Sequence, residues 1–331
     1  MFNHTDTKGF LLFSVSQDFP FYWVYLFMSI GCKFAVPLFF MISGALLLKK
    51  EESIGTVYKK RVSRMVLILL VISLFYAFYD SFKNGTPFVL VDFLTQLYSS
   101  RLSTALWYLY AYLALLMALP LLRKLACNLT FQEYVYWAGM SILISGIIPI
   151  LEYRFFLDEI TGNSILRSAL FTTMSIVHFS MGYFFEYVLP EKYYTVKNAC
   201  IGVVLSFLCV GLCCYMTDFR AAITGEGGSQ VFHNSLASIP AYTIYFSGKL
   251  FFMKKKVSER AKKAICLVGS TTFGIFLLER MLRTETQPVF TALEPVIGTM
   301  PACLVWVAAA FLLGFLITLV LKKIPVVGKY I

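Results

Sequence analysis

The sequence predicts an all-α, polytopic transmembrane helix bundle. Of its 331 residues, 59% are hydrophobic and 14% charged, whereas water-soluble domains lie near half and a quarter. The mean hydropathy is +0.74. The apolar residues are also gathered into runs of the length a bilayer crossing needs, roughly 17–25 residues. The 32 Phe and 20 Tyr suit the same class, because aromatic rings crowd the two membrane interfaces.

About nine such runs follow one another, near 25–48, 62–79, 105–122, 132–151, 167–189, 197–216, 232–253, 264–281 and 300–321. Their connections carry the charge. Alternate loops place Lys49, Lys50, Lys59, Lys60, Arg61, Arg64, Arg123, Lys124, Lys192, Lys197, Lys254, Lys255, Lys256, Arg260, Lys262, Lys263, Lys322, Lys323 and Lys329 on one side. Only Lys8, Lys83, Arg101, Arg154, Arg167, Arg220, Arg280 and Arg283 fall on the other. The positive-inside rule makes the first side, with the C-terminus, cytoplasmic. The net charge of +11 is therefore a topology signal and gives no support to nucleic-acid binding. The outer loops near 80–104 and 152–166 are the natural surfaces to face an acceptor.

An odd number of spans with a cytoplasmic C-terminus leaves the N-terminus outside. Residues 1–20 nevertheless lack a basic n-region, and Phe10–Val15 is too short for the apolar core of a signal peptide. The expectation is that residues 1–20 are the outer end of a missing first helix plus a loop. Met1-Phe2-Asn3-His4 would be that end, and nine spans here would be ten in the complete pattern. Residues 1–331 otherwise read as one integral-membrane domain. Most of the eight cysteines lie in apolar runs (Cys200, Cys209, Cys213, Cys214, Cys266, Cys303) and read as free, small apolar side chains. No CxxC pair or His/Cys cluster suggests a metal, and no bound cofactor is expected.

Ionisable groups in hydrocarbon cost several kcal/mol unless they face a partner or a wet cavity, so the candidate residues are few. Lys33 either snorkels to the outer interface or faces a cavity. Pro37 removes one backbone hydrogen bond and kinks its helix. Beside it, Ser43 and Gly44 either open room or let a second helix pack closely, and packing is the plainer reading. Arg61 and Arg64, three residues apart, project from one helix face at the cytoplasmic end. Their forks suit phosphate, although a basic anchor on lipid headgroups has the same spacing. His4, flanked by Asn3, Thr5 and Asp6, is either a general base or a solvated terminal histidine. His178 reads as a hydrogen-bonded core histidine, and His233 at an outer helix mouth carries little information. Glu279 can pair with Arg283 one turn on, or help bind an acceptor or orient His4. Trp107-Tyr108 reads first as interfacial aromatics.

Together these pieces resemble the acyltransferase family 3, multi-pass bacterial membrane enzymes that acylate cell-surface carbohydrates. The matching stretches are Phe34-Ala35-Val36-Pro37-Leu38-Phe39-Phe40-Met41-Ile42-Ser43-Gly44, then Lys60-Arg61-Val62-Ser63-Arg64, then Leu106-Trp107-Tyr108-Leu109-Tyr110 with Pro120-Leu121-Leu122. Phe179-Ser180-Met181-Gly182-Tyr183, Phe273-Gly274-Ile275-Phe276-Leu277-Leu278-Glu279 and Ile324-Pro325 complete the series. They stand in family order over nearly the whole chain. The resemblance implies a first helix with a basic residue well ahead of a histidine, both needed for transfer. His4 would be that histidine, and its basic partner has no position here. It also favours the phosphate-binding reading of Arg61 and Arg64 over the lipid anchor. Where many members have histidine after the Phe-Gly-Ile run, this chain has Glu279.

The expected activity is transfer of an acyl group, acetyl above all, from acyl-CoA as co-substrate to a sugar hydroxyl. Arg61 and Arg64 would hold the CoA phosphates, and His4 would take the acceptor's proton. Ser43, Lys33 or Trp107 would stabilise the oxyanion. Two rivals use the same features: a transporter or flippase for a glycosylated or anionic lipid, and an inactive truncated acyltransferase. Transporters of that kind often show internal repeats, and none is seen between the halves.

Overall fold

The computed structural model describes residues 1–17, 20–99, 106–157 and 172–328. Every regular element among them is helical. Three short 3-10 turns, Phe2–His4, Asp6–Lys8 and Leu12–Val15, are followed by α1 (Tyr22–Gly31), α2 (Ala35–Leu47), α3 (Ile54–Val57), α4 (Ser63–Asn84), α5 (Leu90–Tyr98) and α6 (Trp107–Asn128). Then come α7 (Phe131–Ile142), α8 (Ile148–Phe156), α9 (Met174–Tyr183), α10 (Val196–Thr224), α11 (Ser238–Lys254), α12 (Glu259–Ile297) and α13 (Thr299–Leu321).

Local chemistry sets the ends. Thr130 and Glu133 form a reciprocal capping box at the start of α7, and Thr195 and Ser258 accept backbone N–H bonds to start α10 and α12. Gly85 (φ 64) and Gly225 (φ 72) stop α4 and α10 in the left-handed conformation that glycine adopts without strain. A 3-10 turn, Cys32–Phe34, lies between α1 and α2 one turn before Pro37, where a proline cannot donate the bond an α-helix makes.

Seven continuous helical stretches among the described residues are long and apolar enough to cross a bilayer. They are Tyr22–Leu47, Ile54–Asn84, Trp107–Asn128, Phe131–Phe156, Val196–Thr224, Glu259–Ile297 and Thr299–Leu321. They account for seven of the nine expected runs. The run near 167–189 begins outside the described residues, and its described part is α9 with a five-residue π turn, Phe184–Val188. The run near 232–253 gives only the 17 residues of α11, because the chain before Ser238 makes turns rather than helix. All eight cysteines are free; Cys213, Cys214 and Cys303 are buried, while Cys127, Cys200 and Cys266 lie on the surface.

The chain forms two compact units. The first takes Met1, Glu52–Pro120 and Ser258–Ile331; the second takes Phe2–Glu51 and Leu121–Val257.

In the first unit α12 and α13 form a long antiparallel pair. Its core is Ile275, Leu282 and Ala310. Trp306 donates its indole N–H to the Arg283 carbonyl and to Thr286 Oγ1, each at 3.1 Å. Along α4, Tyr76 donates to the Leu277 carbonyl (2.9 Å), Arg280 pairs with Asp80 (2.6 Å) and Lys83 pairs with Glu285 (2.8 Å).

In the second unit α2 crosses α9 at backbone contact. A Cβ placed on Gly44 would lie 1.7 Å from the Phe179 carbonyl oxygen, and one on Gly182 would lie 1.8 Å from that of Met41. The two glycines are reciprocal, and both belong to the motifs singled out above. Arg123, buried on α6, donates to the Leu47 carbonyl (3.1 Å) and so satisfies part of the C-terminus of α2. A second core, Phe13, Tyr22, Leu26, Cys213 and Phe232 among others, joins the N-terminal turns to α1 and α10.

Candidate functional site

The N-terminal turns build one side of a polar cluster in the second unit. Buried Thr5 donates to the Phe2 carbonyl (2.8 Å) and accepts the Phe10 N–H (2.9 Å), which tightens the Phe2–His4 turn. That turn packs against the 3-10 turn Cys32–Phe34. Asn3 Oδ1 accepts from Cys32 Sγ at 2.6 Å, and the next residue, His4, is half-buried. Lys33, half-buried, reaches Gln230 Oε1 (3.3 Å) and sits 4.4 Å above the Phe10 ring. Gln230 is exposed and Phe10 buried, so Lys33 lies between the protein surface and its interior.

The turns before α11 supply the other side. His233 is 1% exposed, 3.1 Å from Ser29 Oγ and packed against the rings of Phe10 and Phe13. It lies outside the helices. Burial, with the Lys33 charge nearby, pushes its imidazole down to about 3. His233 is therefore a neutral neighbour of the His4 and Lys33 turns. Sequence reasoning set it aside, since its partner Ser29 is 204 residues away.

Behind the same turns lies a cavity of about 190 Å³, lined by Pro37, Ser141, Ser145, Thr172, Asn234 and the pair His178–Ser238 among others. His178 is the buried, hydrogen-bonded histidine that was expected, 2% exposed, with Nδ1 at 2.6 Å from the Met174 carbonyl and Nε2 at 2.9 Å from Ser238 Oγ.

Ser43 stands half-buried beside the Gly44 crossing. It is ten residues along the helix from Lys33, about 15 Å of rise.

Four of the residues singled out belong to the first unit. Arg61 is in a π turn, Tyr58–Val62, and its guanidinium fork is engaged: Nε and Nη2 each donate to one Glu52 carboxylate oxygen at 2.8 Å. This departs from a pair of arginines both open to phosphate. Arg64, one turn on, is exposed. Glu279 is 3% exposed and pairs with Arg283, the partner its spacing allowed. Trp107 opens α6, is 41% exposed and meets Tyr108 edge-on. Among the described residues no cluster of His, Cys, Asp and Glu could hold a metal ion.

A helical membrane chain with a basic turn, a half-buried N-terminal histidine and two buried, hydrogen-bonded histidines defines a class, that of polytopic membrane proteins with polar side chains buried among their helices and turns. Its family emerges from comparison with known proteins. The family model of acyltransferase family 3, described as an acyltransferase domain, matches residues 1–323, and the chain belongs to that family. It is a multi-pass membrane acyltransferase. No significant match is found among curated proteins or among solved structures.

Proposed function

We propose that the protein transfers a short acyl group, acetyl above all, from acyl-CoA to a hydroxyl of a cell-surface carbohydrate. It would work in the bacterial plasma membrane with its C-terminus in the cytoplasm. The observation that carries this reading is the packing of the Phe2–His4 turn on the turn that holds Lys33. The two turns carry a histidine and a lysine, and the family resemblance puts a histidine needed for transfer at the position of His4.

His4 takes the proton of the acceptor hydroxyl as its oxygen attacks the thioester carbonyl carbon. The carbon–sulfur bond breaks and the thiolate leaves with a proton. The Lys33 ammonium offers charge to the oxyanion, and Ser43 is too far along its helix to share that task. On the cytoplasmic side Arg64, Lys59 and Lys60 are charges for the CoA phosphates. Arg61 joins them once a phosphate takes the place of Glu52.

The test is a His4→Ala variant of the natively expressed protein. It should accumulate to wild-type levels and lose acyl transfer about a hundredfold or more. Transfer at the wild-type rate would remove His4 from this role.

A further inference from the structure

The geometry assigns a second reactive centre in this molecule: Ser238 as a nucleophile activated by His178, able to carry the acyl group as an ester. It rests on the acyl-transfer reading above. It adds a covalent intermediate, in a cavity which that reading leaves unused.

The tautomer of His178 is set by its partners. The Met174 carbonyl can only accept, so Nδ1, 2.6 Å away, carries the proton. Nε2 then presents its lone pair to Ser238 Oγ at 2.9 Å. A hydroxyl donates to a neutral imidazole whose far nitrogen is held by a fixed acceptor. That is the arrangement of an activated serine, with a backbone carbonyl as the orienting third group.

The pair also faces a space in which a reaction could take place. His178 and Ser238 line the cavity of about 190 Å³, together with Ser141, Ser145, Thr172 and Asn234. Ser238 is half-buried and His178 buried, and both line it. The volume is below the roughly 300–1,000 Å³ of drug-sized ligand sites, so it admits a short acyl group and excludes a long lipid chain. The lining is polar as well as apolar, with the Ser145 hydroxyl already donating to the Thr172 carbonyl (3.4 Å). Both walls come from motifs whose role was otherwise packing. Pro37 lies in the stretch Phe34–Gly44, and His178 directly precedes Phe179-Ser180-Met181-Gly182.

The chemistry balances in two halves. Ser238 Oγ attacks the thioester carbonyl carbon as its proton passes to His178 Nε2. The carbon–sulfur bond breaks, and that proton leaves on the thiol of CoA. In the second half the acceptor oxygen attacks the acyl carbon of the seryl ester in place of the thioester, and a new ester bond forms. The bond between that carbon and Ser238 Oγ breaks, and the acceptor's proton, first taken by its general base, restores the serine hydroxyl.

The experiment gives full-length protein acetyl-CoA with no acceptor, quenches in acid and maps peptides by mass spectrometry. One acetyl group on the peptide holding Ser238 is expected. Ser238→Ala should lack it, and His178→Asn should form it about a hundredfold more slowly. Ser238→Cys should carry it as a thioester, cleaved by neutral hydroxylamine, which shows that a variant at this position folds. A wild-type protein that acylates carbohydrate while Ser238→Ala does so equally well overturns the dyad and leaves the proposed function standing. An adduct on Ser238 without transfer to carbohydrate supports the dyad and removes the carbohydrate acceptor. Neither adduct nor transfer in the wild type overturns both.

Discussion

The two units are held together by different chemistry. In the first, charge meets charge: Arg61 with Glu52, Arg280 with Asp80, Lys83 with Glu285 and Arg283 with Glu279. In the second, the buried polar groups near the candidate site are neutral. His178 meets a hydroxyl and a carbonyl, His233 meets a hydroxyl, and α2 meets α9 through bare backbone at Gly44 and Gly182. The difference bears on charge state. A carboxylate beside a histidine holds it protonated, whereas hydroxyl and carbonyl partners give His178 and His233 no such counter-charge. The second unit's own ion pairs, Arg220 with Glu226 and Lys249 with Glu186, involve neither histidine.

The largest effect expected from breaking this contrast is at the buried end of the charged series. Glu279 is 3% exposed and its partner Arg283 18%. Glu279→Ala removes the carboxylate and leaves a guanidinium in poor solvent, at a cost of about 3–5 kcal/mol. A thermal unfolding curve of the purified protein in detergent measures it, and an unchanged midpoint would mean that the ion pairs do not order the first unit. Next comes the neutral unit's own weak point. Gly44→Ala sets a Cβ 1.7 Å from a carbonyl oxygen, so α2 and α9 must separate, at about 3 kcal/mol. Gly211 meets nothing within 4 Å. Gly211→Ala should therefore be neutral or gain up to about 1 kcal/mol of helix propensity, and equal losses at both positions would refute the crossing.

What the sequence made legible was what is local. The helical class came from run lengths. The Glu279–Arg283 pair came from a spacing of four, and the break near Pro37 from a missing donor. What it left open was set by distant contacts. The Gly44 crossing was one of two readings because its partner motif lies on α9. His233 carried no signal because Ser29 is 204 residues away, and His178 read as core because Ser238 is 60 residues away. Arg61 looked open to phosphate because Glu52, nine residues before it, reaches it only through the turn between α2 and α3. The long α12 exceeded its expected span near 264–281 because Arg280, Arg283 and Glu285, which end the apolar run, find partners within the first unit.

The smallest effect sharpens the comparison most. Lys83 and Glu285 meet at 2.8 Å, as close as Arg61 and Glu52, yet each is 43% exposed. Water screens such a pair, and holding two long side chains in one geometry costs entropy, so exposed pairs give about 0.2–1 kcal/mol. Glu285 also accepts from Tyr79 at 2.5 Å, so Lys83→Ala leaves it partnered. The expected loss is at the low end, about 0.2–0.5 kcal/mol, and it should fall further as salt is added. Measured beside Glu279→Ala on the same unfolding curve, it separates burial from charge. If Lys83→Ala costs as much as Glu279→Ala, the first unit is ordered by the number of its ion pairs; a difference of several kcal/mol places that order in the most buried of the four pairs named above.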